Sequence, residues 1–150
     1  MARSGAPSGA VRGALNAAMT AALRRGLGPP GIYLLETRGR RTGAPRTTPV
    51  SLVEDETGRY LVSPYGESGW VRNARAAGTV TLRRGRREET LPITELGADE
   101  SGPVLKRYTK EQRVVRPWFD ARPDAPAEAF VAEADRHPVF RLGESDEGAS

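Results

Sequence analysis

The most informative stretch of this sequence is Leu34–Val53, LLETRGRRTGAPRTTPVSLV, because it joins two strand-like segments through a basic turn. The turn carries Arg38, Arg40, Arg41 and Arg46 among glycines and a proline. Glycines permit a tight bend and allow an anion to approach the backbone N–H groups, and guanidinium groups bind phosphate or carboxylate oxygens in pairs. The pattern predicts a corner that either binds a small polyanion or forms a solvated basic turn.

The bulk composition is that of a soluble globular protein. The chain has 150 residues, of which 37% are hydrophobic and 28% charged, so one domain is expected. It has no cysteine, which excludes a disulfide scaffold, a thiolate metal site and a cysteine nucleophile. The net charge of +4 suits an anionic ligand, a nucleic acid or an acidic membrane surface and does not distinguish among them.

The sequence shows no membrane or export signal. No apolar run reaches the roughly 18 residues that a membrane helix needs, and the N-terminal segment lacks the apolar core of a secretory signal. We therefore expect a cytoplasmic protein without stable membrane insertion. Segment 1–10 is expected to be disordered, 11–142 to form a single domain, and the acidic segment 143–150 to be a disordered tail.

Six segments have the residue pattern of strands, and most follow one another through short turns. Pro49 predicts a bulge or an unpaired donor in the second strand, and Pro92 predicts an edge position or a bulge in the fifth. Because consecutive hairpins outnumber β-α-β units, we expect an antiparallel barrel or sandwich with added helices. The expected strands are 32–37, 46–54, 59–63, 79–82, 88–96 and 139–142.

Four further segments have helical periodicity or capping residues. Ser68 and Asp99 stand where side chains commonly cap a helix N-terminus, and Gly78 stands where a helix commonly ends. The expected helices are 11–25, 69–77, 100–110 and a last one from about 124 that ends at His137, with an irregular aromatic stretch at 114–119.

The inventory of catalytic groups is thin. The one histidine, His137, precedes a proline at a helix end, where histidines are commonly structural. No spacing of His, Asp and Glu resembles a metal site, and neither a GxSxG elbow nor a GxxxxGK[ST] phosphate loop occurs. If the chain is an enzyme, a bound cofactor is expected to carry the chemistry.

Two other features admit both a functional and a structural interpretation. The cluster 83–87, RRGRR, either binds a phosphate or forms the solvated tip of a hairpin. Tyr65, Trp70 and Asn73 follow the third strand, and they either hold a planar ring system or belong to the core and a helix face. Since most aromatic residues lie apart from the arginine clusters, we expect no nucleic-acid partner.

Two linked motifs carry a family resemblance. The first, L-x-T-x-G-R-R-T-G-x-x-R-x-x-P, is Leu35–Pro49, and the second, S-P-Y-G-x-x-x-W-V-R-N-A-R-A-A-G, is Ser63–Gly78. In this order and at this distance they resemble the deazaflavin-dependent nitroreductase family, with similarity from about Gly31 to Leu96 and a looser match to the closing RHPVFRL. The resemblance implies a mainly β fold, an antiparallel split β-barrel related to FMN-binding split barrels, with flanking helices.

The resemblance also implies an oxidoreductase. Such enzymes transfer a hydride from reduced coenzyme F-420, a deazaflavin with a phosphate and an oligoglutamate tail, to an electron-poor small molecule such as an activated C=C bond or a nitro group. The residues that would contact the cofactor are Arg40, Arg41, Thr42 and Arg46 in the anion-binding turn; Thr47, Thr48, Pro49, Val50 and Ser51 in the strand along the deazaflavin; Val62, Ser63, Pro64 and Tyr65 in the adjacent wall; and Gly69, Trp70, Val71, Arg72 and Asn73 in the short helix.

Several alternatives stay open at this point. Tyr65 or Tyr108 could relay the proton that the product needs, or solvent could, and the substrate pocket is expected near Tyr108 and Val114–Phe119. FMN could replace the deazaflavin, and the protein could be a carrier of deazaflavin without activity or a basic nucleic-acid-binding module. Split barrels of this kind include dimers and monomers, so a homodimer is one of two expected states.

Overall fold

Six strands and four α-helices make up the part of the chain that the computed structural model describes, residues 9–39 and 41–144. Two 3₁₀ helices, Arg113–Trp118 and Ala134–Arg136, complete this set. The strands are β1 (Ile32–Arg38), β2 (Pro45–Asp55), β3 (Gly58–Val62), β4 (Thr79–Arg84), β5 (Arg87–Glu95) and β6 (Val139–Leu142), and the helices are α1 (Gly9–Arg24), α2 (Gly69–Ala77), α3 (Ala98–Glu111) and α4 (Ala127–Val131).

The strands close into one antiparallel barrel in the order β1-β2-β3-β6-β5-β4. The first three strands form the expected meander, and the pairings of β1 with β4 and of β3 with β6 close the sheet. The expectation of a split β-barrel with flanking helices is confirmed, and the sandwich that the strand pattern alone also allowed is excluded.

Strand β2 has two partners along different parts of its length. Residues 45–51 pair with β1, from Ile32↔Ser51 to Arg38↔Pro45, whereas the ladder with β3 begins at Leu52. Because Leu52 N donates to Gly31 O, the alternation of an antiparallel ladder turns the ring nitrogen of Pro49 away from β1. The ladder runs through Pro49 without an offset, so the structure shows no bulge there, and no hydrogen bond of the ladder with β1 is lost. Half of β2 therefore has one open edge.

The edge position expected for Pro92 applies to only part of strand β5, residues 87–92, which pair with β4 alone. Strand β5 as a whole is not an edge strand, because it pairs with β4 on one side and with β6 on the other. Its ladder with β4 ends at Thr79↔Pro92, and its ladder with β6 begins at Ile93. A residue without an N–H group is tolerated at this point because one ladder ends there and the other has not yet begun.

Apolar side chains form two clusters, one inside the barrel and one outside it. The inner cluster includes Leu35, Leu61 and Phe140, and α2 covers it with Val71 and Ala74. The outer cluster lies between the outer barrel wall and the C-terminal half of the chain. Its largest members are Tyr60, Leu105, Tyr108, Trp118, Phe119 and Phe130. Apolar side chains thus fill the interior of the barrel, and the polar groups that could take part in binding or catalysis lie at its surface.

Some helix boundaries differ from the expected ones. Helix α1 begins at Gly9, inside the segment 1–10 that was expected to be disordered, while residues 1–8 and the tail 145–150 lie outside the described residues. Gly97 rather than Asp99 occupies the N-cap of α3. The last expected helix is divided, because the Glu133 backbone leaves the helical region and its carboxylate binds backbone N–H groups of Asp120 and Ala121.

We predict that Leu35→Ala lowers the free energy of unfolding by about 2–5 kcal/mol, because it leaves a cavity in the barrel interior. Leu35 is fully buried there. Leu27→Ala removes the same side chain from a position that is 60% exposed, and it should change stability by less than about 0.5 kcal/mol. Urea unfolding of both variants gives the comparison, and equal losses would contradict the placement of Leu35.

Candidate functional site

A two-part cleft follows the open edge of β2. Its outer section has a volume of about 580 Å³ and lies between the β1–β2 turn and the start of α2. Its inner section, about 270 Å³, lies between β2 and the segment that joins α3 to the 3₁₀ helix Arg113–Trp118. Thr48, Ser68 and Trp70 line both sections, so the two are continuous.

The β1–β2 turn is held by its own backbone. Gly39 N donates to Ala44 O at 2.8 Å, Gly43 N donates to Gly39 O at 2.7 Å, and the Arg38 guanidinium donates to Gly43 O at 3.3 Å. Gly43 has a φ of 73°, a left-handed conformation that other residues adopt at a cost. The turn therefore projects from a fixed corner, with Arg41 and Thr42 on the outer section of the cleft.

The arginines of the outer section lack acidic partners. Arg41 and Arg46 are exposed, and neither guanidinium group makes a hydrogen bond or ion pair with another residue of the described part of the chain. Elsewhere arginines lie against carboxylates, as Arg75 does against Glu67 and Glu95, both at 2.7 Å. Two uncompensated guanidinium groups on one concave surface have the charge and geometry that suit a phosphate or carboxylate ligand. Arg40 lies outside the described residues.

The N-terminus of α2 adds a second polar feature. Ser68 occupies the expected N-cap position, but its hydroxyl makes no capping hydrogen bond. Its Oγ is buried without a partner among residues 9–39 and 41–144, although buried hydroxyls are normally hydrogen-bonded. The first N–H groups of a helix also lack intrahelical acceptors and favour negative charge. Ser68, Gly69 and Trp70 line the outer section, so these groups are placed to meet a ligand there.

Two contacts fix α2 against the barrel. The Asn73 amide is buried, and its Nδ2 donates to Thr37 Oγ1 at 3.3 Å, which ties the helix to the end of β1. Trp70 packs against Phe140 with ring centroids 5.8 Å apart and lines both sections of the cleft. The sequence left Trp70 between a core and a ligand-facing role, and in the structure Trp70 both packs against the core and lines the cleft.

The inner section is mostly apolar and partly aromatic. Residues 48–51 of β2 form one side, and Val62, Ser63, Pro64 and Tyr65 form a wall after β3. Tyr65 lies edge-to-face against Trp118, with centroids 5.0 Å apart. Burial, with a smaller contribution from Tyr65, raises the pKa of Tyr108 far above its ordinary value, so the Tyr108 phenol stays neutral. Its hydroxyl has no hydrogen-bond partner in the described part of the chain and can donate to a ligand.

Most of the residues expected to contact a cofactor line this cleft, and two do not. Val71 is fully buried in the barrel cluster, because its side of α2 faces the interior. Arg72 is exposed and is not part of the cleft lining. The expected residues found in the lining are Arg41, Thr42, Arg46, Thr47, Thr48, Pro49, Val50, Ser51, Val62, Ser63, Pro64, Tyr65, Gly69, Trp70, Asn73 and Tyr108.

Sequence reasoning missed several lining residues. Ser68 was read as a helix cap, and only its buried, unpartnered hydroxyl shows that it faces the cleft. Met19 of α1 and Gln112 at the end of α3 come from elements far apart in sequence. Nothing in a local pattern relates these elements to β2, since their meeting depends on the closed barrel.

The two remaining sequence features are structural. Arg84 donates to the carbonyls of Gly28, Pro29 and Ile32, and Arg83 pairs with Glu36, so half of the basic cluster holds its own chain together. His137 is buried and hydrogen-bonded, away from both sections of the cleft. Among the described residues, no group of His, Asp and Glu could hold a metal ion, and no helix is long and apolar enough to cross a membrane.

These features define a class of protein: a split-barrel protein whose cleft has an arginine-lined anion section and an apolar section beside the open edge of β2. The model of the F-420H(2)-dependent quinone reductase family matches residues 13–123, and the chain belongs to this family. It is an oxidoreductase whose cofactor is coenzyme F-420. The deazaflavin-dependent family expected from the two motifs is thereby confirmed. No curated protein sequence matches the chain.

Similar solved structures share the fold at low sequence identity. An F-420-H2 dependent reductase, FDR-A, is 22% identical, with a TM-score of 0.51 over 75% of this chain and 94% of its own. A structure described as a domain-swapped dimer is 19% identical, with a TM-score of 0.54 over 91% and 99% of the two chains. The heme storage protein HutZ from Vibrio cholerae is 11% identical, with a TM-score of 0.54 over 77% and 82%.

We predict that Tyr108 makes the free energy of unfolding fall more steeply as the pH rises into the alkaline range. Its pKa is raised in the folded state, so its contribution to stability is complete below the unfolded value of about 10 and is lost as the pH rises above it. Tyr108→Phe should remove this loss, so the free energy of unfolding should fall less between pH 9 and pH 11 than in the wild type. These two pH values lie about one unit below and above the unfolded pKa of tyrosine. Urea unfolding across this range provides the test, with Tyr33→Phe as the control, and parallel curves for wild type and Tyr108→Phe would contradict it.

Proposed function

We propose that this protein uses reduced coenzyme F-420 to reduce a quinone or a similar electron-poor carbonyl compound bound in the inner section of the cleft. The observation that carries the proposal is the continuity of an arginine-lined section with an apolar section across Thr48, Ser68 and Trp70. The anionic tail of the cofactor matches the arginine-lined section. Its flat ring and an apolar acceptor match the apolar section that follows.

In this proposal the outer section holds the charged part of the cofactor. Arg41 and Arg46 bind the phosphate and the carboxylates of the tail, since neither guanidinium is neutralised by the described part of the chain. Ser68 Oγ and the first N–H groups of α2 donate to a polar group at the junction of the two sections. The orphaned hydroxyl and the unpaired arginines are features that such a ligand would satisfy.

The inner section would hold the reacting groups. When bound there, reduced coenzyme F-420 supplies a hydride. The open edge of β2 presents the backbone groups of Thr47 and Ser51, which alternate with those used by the β1 ladder and can hydrogen-bond a flat heterocycle. Tyr65, Tyr108 and Val115 enclose the space next to this edge and exclude water from it.

The acceptor also needs a proton. Tyr108 Oη can donate a hydrogen bond to a carbonyl oxygen of the acceptor, which stabilises negative charge that develops there. Because burial raises its pKa, Tyr108 holds its proton strongly, and the net proton comes from solvent at the mouth of the cleft. Of the two tyrosines considered from the sequence, Tyr108 is therefore proposed as a hydrogen-bond donor, and Tyr65 as a wall residue.

We also infer that a homodimer is one of the states of this chain, because a similar structure is described as a domain-swapped dimer. Light scattering during size-exclusion chromatography measures the mass directly. A mass of one chain at assay concentrations would exclude the dimer.

A steady-state assay tests the proposed function. Purified protein is mixed with reduced coenzyme F-420 and a soluble naphthoquinone, a nitroaromatic or an enone, and oxidation of the cofactor is followed by its absorbance. We expect turnover with the naphthoquinone and none when reduced FMN replaces the deazaflavin. Turnover with the nitroaromatic alone would reject the quinone assignment. Saturable binding of the cofactor without turnover of any acceptor would instead favour a carrier.

We predict that Arg41→Ala and Arg46→Ala each weaken binding of coenzyme F-420 by about ten- to a hundredfold, the loss expected for one or two charge-assisted hydrogen bonds. Fluorescence titration measures the Kd of each variant. Arg86→Ala, at the exposed tip of the β4–β5 hairpin, is the matched control for loss of one positive charge and should bind as the wild type does. An equal loss in all three variants would show a general effect of charge rather than a site.

A further inference from the structure

A buried pair of ionisable side chains lies behind the inner section of the cleft. His137 and Glu133 are 3% and 2% exposed, and His137 Nε2 lies 2.8 Å from Glu133 Oε1. The imidazole packs flat against Phe119, with centroids 3.9 Å apart and planes 19° apart. Neither side chain lines the cleft, and burying such a pair is costly unless its hydrogen bonds are satisfied. The hydrogen-bond partners of His137 and Glu133 therefore indicate the role of this pair.

The partners of His137 lead to one wall of the cleft. His137 Nδ1 lies 2.9 Å from Pro64 O, and since a carbonyl can only accept, Nδ1 must carry the proton. Pro64 is part of the wall after β3, and the next residue is Tyr65. The neighbouring backbone bond from Ser63 N to Pro138 O, 2.9 Å long, holds the same wall to the same segment.

The partners of Glu133 lead to the opposite side. Its carboxylate accepts hydrogen bonds from Asp120 N at 3.1 Å and from Ala121 N at 2.7 Å. Only Phe119 separates these residues from the 3₁₀ helix Arg113–Trp118, which contributes Val114 and Val115 to the inner section and Trp118 to the contact with Tyr65. Glu133 thus fixes the segment that faces the wall held by His137.

We propose that His137 is a positioning residue for the reductase reaction. It joins Glu133 to Pro64 and so sets the separation between the Pro64–Tyr65 wall and the segment Val114–Trp118. The inference rests on the proposed function, because it assigns these two sides to the acceptor. A displacement of about 1 Å at reacting groups can lower a rate by about a hundredfold, so a rigid link between the sides has a direct kinetic value.

Histidine suits this position because one rigid ring reaches Pro64 O and Glu133 Oε1 in opposite directions. Asparagine can place its Nδ2 near the position of Nδ1 and can keep the bond to Pro64 O. Glutamine can place its Nε2 near the position of Nε2 of histidine and can keep the bond to Glu133. The two substitutions therefore separate the link to the cleft wall from the link to the buried carboxylate.

The kinetic arm compares His137→Gln with His137→Asn at a temperature where both are folded. We expect His137→Gln to lower kcat/KM for the naphthoquinone by about ten- to a hundredfold through misplacement of the wall, and His137→Asn to rescue most of this loss. The Kd of coenzyme F-420 should stay unchanged in both, because the outer section supplies the charged contacts. Arg107→Gln, which breaks the exposed pair with Glu111 away from the cleft, is the control and should match the wild type.

The spectroscopic arm needs neither cofactor nor acceptor. In a Trp70→Phe background, Trp118 is the remaining tryptophan, and its near-ultraviolet circular dichroism reports its edge-to-face contact with Tyr65. His137→Gln should weaken this band and His137→Asn should retain it. Equal effects of the two substitutions in either arm, the reverse order, or a parallel loss of cofactor binding would overturn the inference. If the wild type reduces no acceptor, the proposed function fails, and the spectroscopic arm alone decides on the positioning role.

Discussion

The open edge of β2 is the constraint on which the rest of the structure depends. The barrel closes through six ladders, yet residues 45–51 of β2 pair with β1 alone, and the ladder with β3 begins at Leu52. Pro49 is compatible with this arrangement because its ring nitrogen, which cannot donate, points to the open side. Unpaired backbone groups beside an apolar wall form a place where a flat, polar-edged molecule can replace the missing strand.

The two sections of the cleft are held by different physical means. The outer section depends on charge and local geometry: a short turn fixed by its own backbone bonds presents Arg41 and Arg46, which have no acidic partner among the residues that the structure describes. The inner section depends on packing between parts of the chain that lie far apart in sequence. Tyr65 packs against Trp118, and the His137–Glu133 pair lies behind them. Binding strength is therefore expected to depend mainly on the turn, and reactivity mainly on the packed segments.

Local features of the fold could be read from the sequence, and features that depend on closure could not. The hairpin strands follow from alternating apolar and polar residues, the end of α2 from Gly78, and the basic turn from its glycines. Each of these signals acts on its immediate neighbours in the chain. The choice between barrel and sandwich depends on pairs such as Leu35↔Leu82 and Leu61↔Phe140, which no local pattern specifies. The edge position expected for Pro92 holds for only part of β5 for the same reason, because β6 joins β5 from the far end of the chain and pairs with it from Ile93 onward.

The candidate site shows the same division. The turn and the β2 residues were found because a linear motif contains them, but Val71 belongs to that motif and faces the core, since the motif does not show which side of α2 meets the barrel. Ser68 was hidden because its significance is a buried hydroxyl without a partner, which exists only in three dimensions. His137 was interpreted as structural from its place before a proline, but its connection to Pro64, 73 positions away in sequence, required the closed barrel.

The central claim is that the arginine-lined section binds the anionic part of a deazaflavin whose ring lies along β2. Calorimetric titration with coenzyme F-420, beside the same deazaflavin chromophore without its phosphate and glutamate tail, tests this claim most directly. The account predicts that the complete cofactor binds at least about tenfold more tightly, and that added salt reduces the difference, as expected for charge-assisted contacts. Equal affinity for the two compounds at every salt concentration would contradict it.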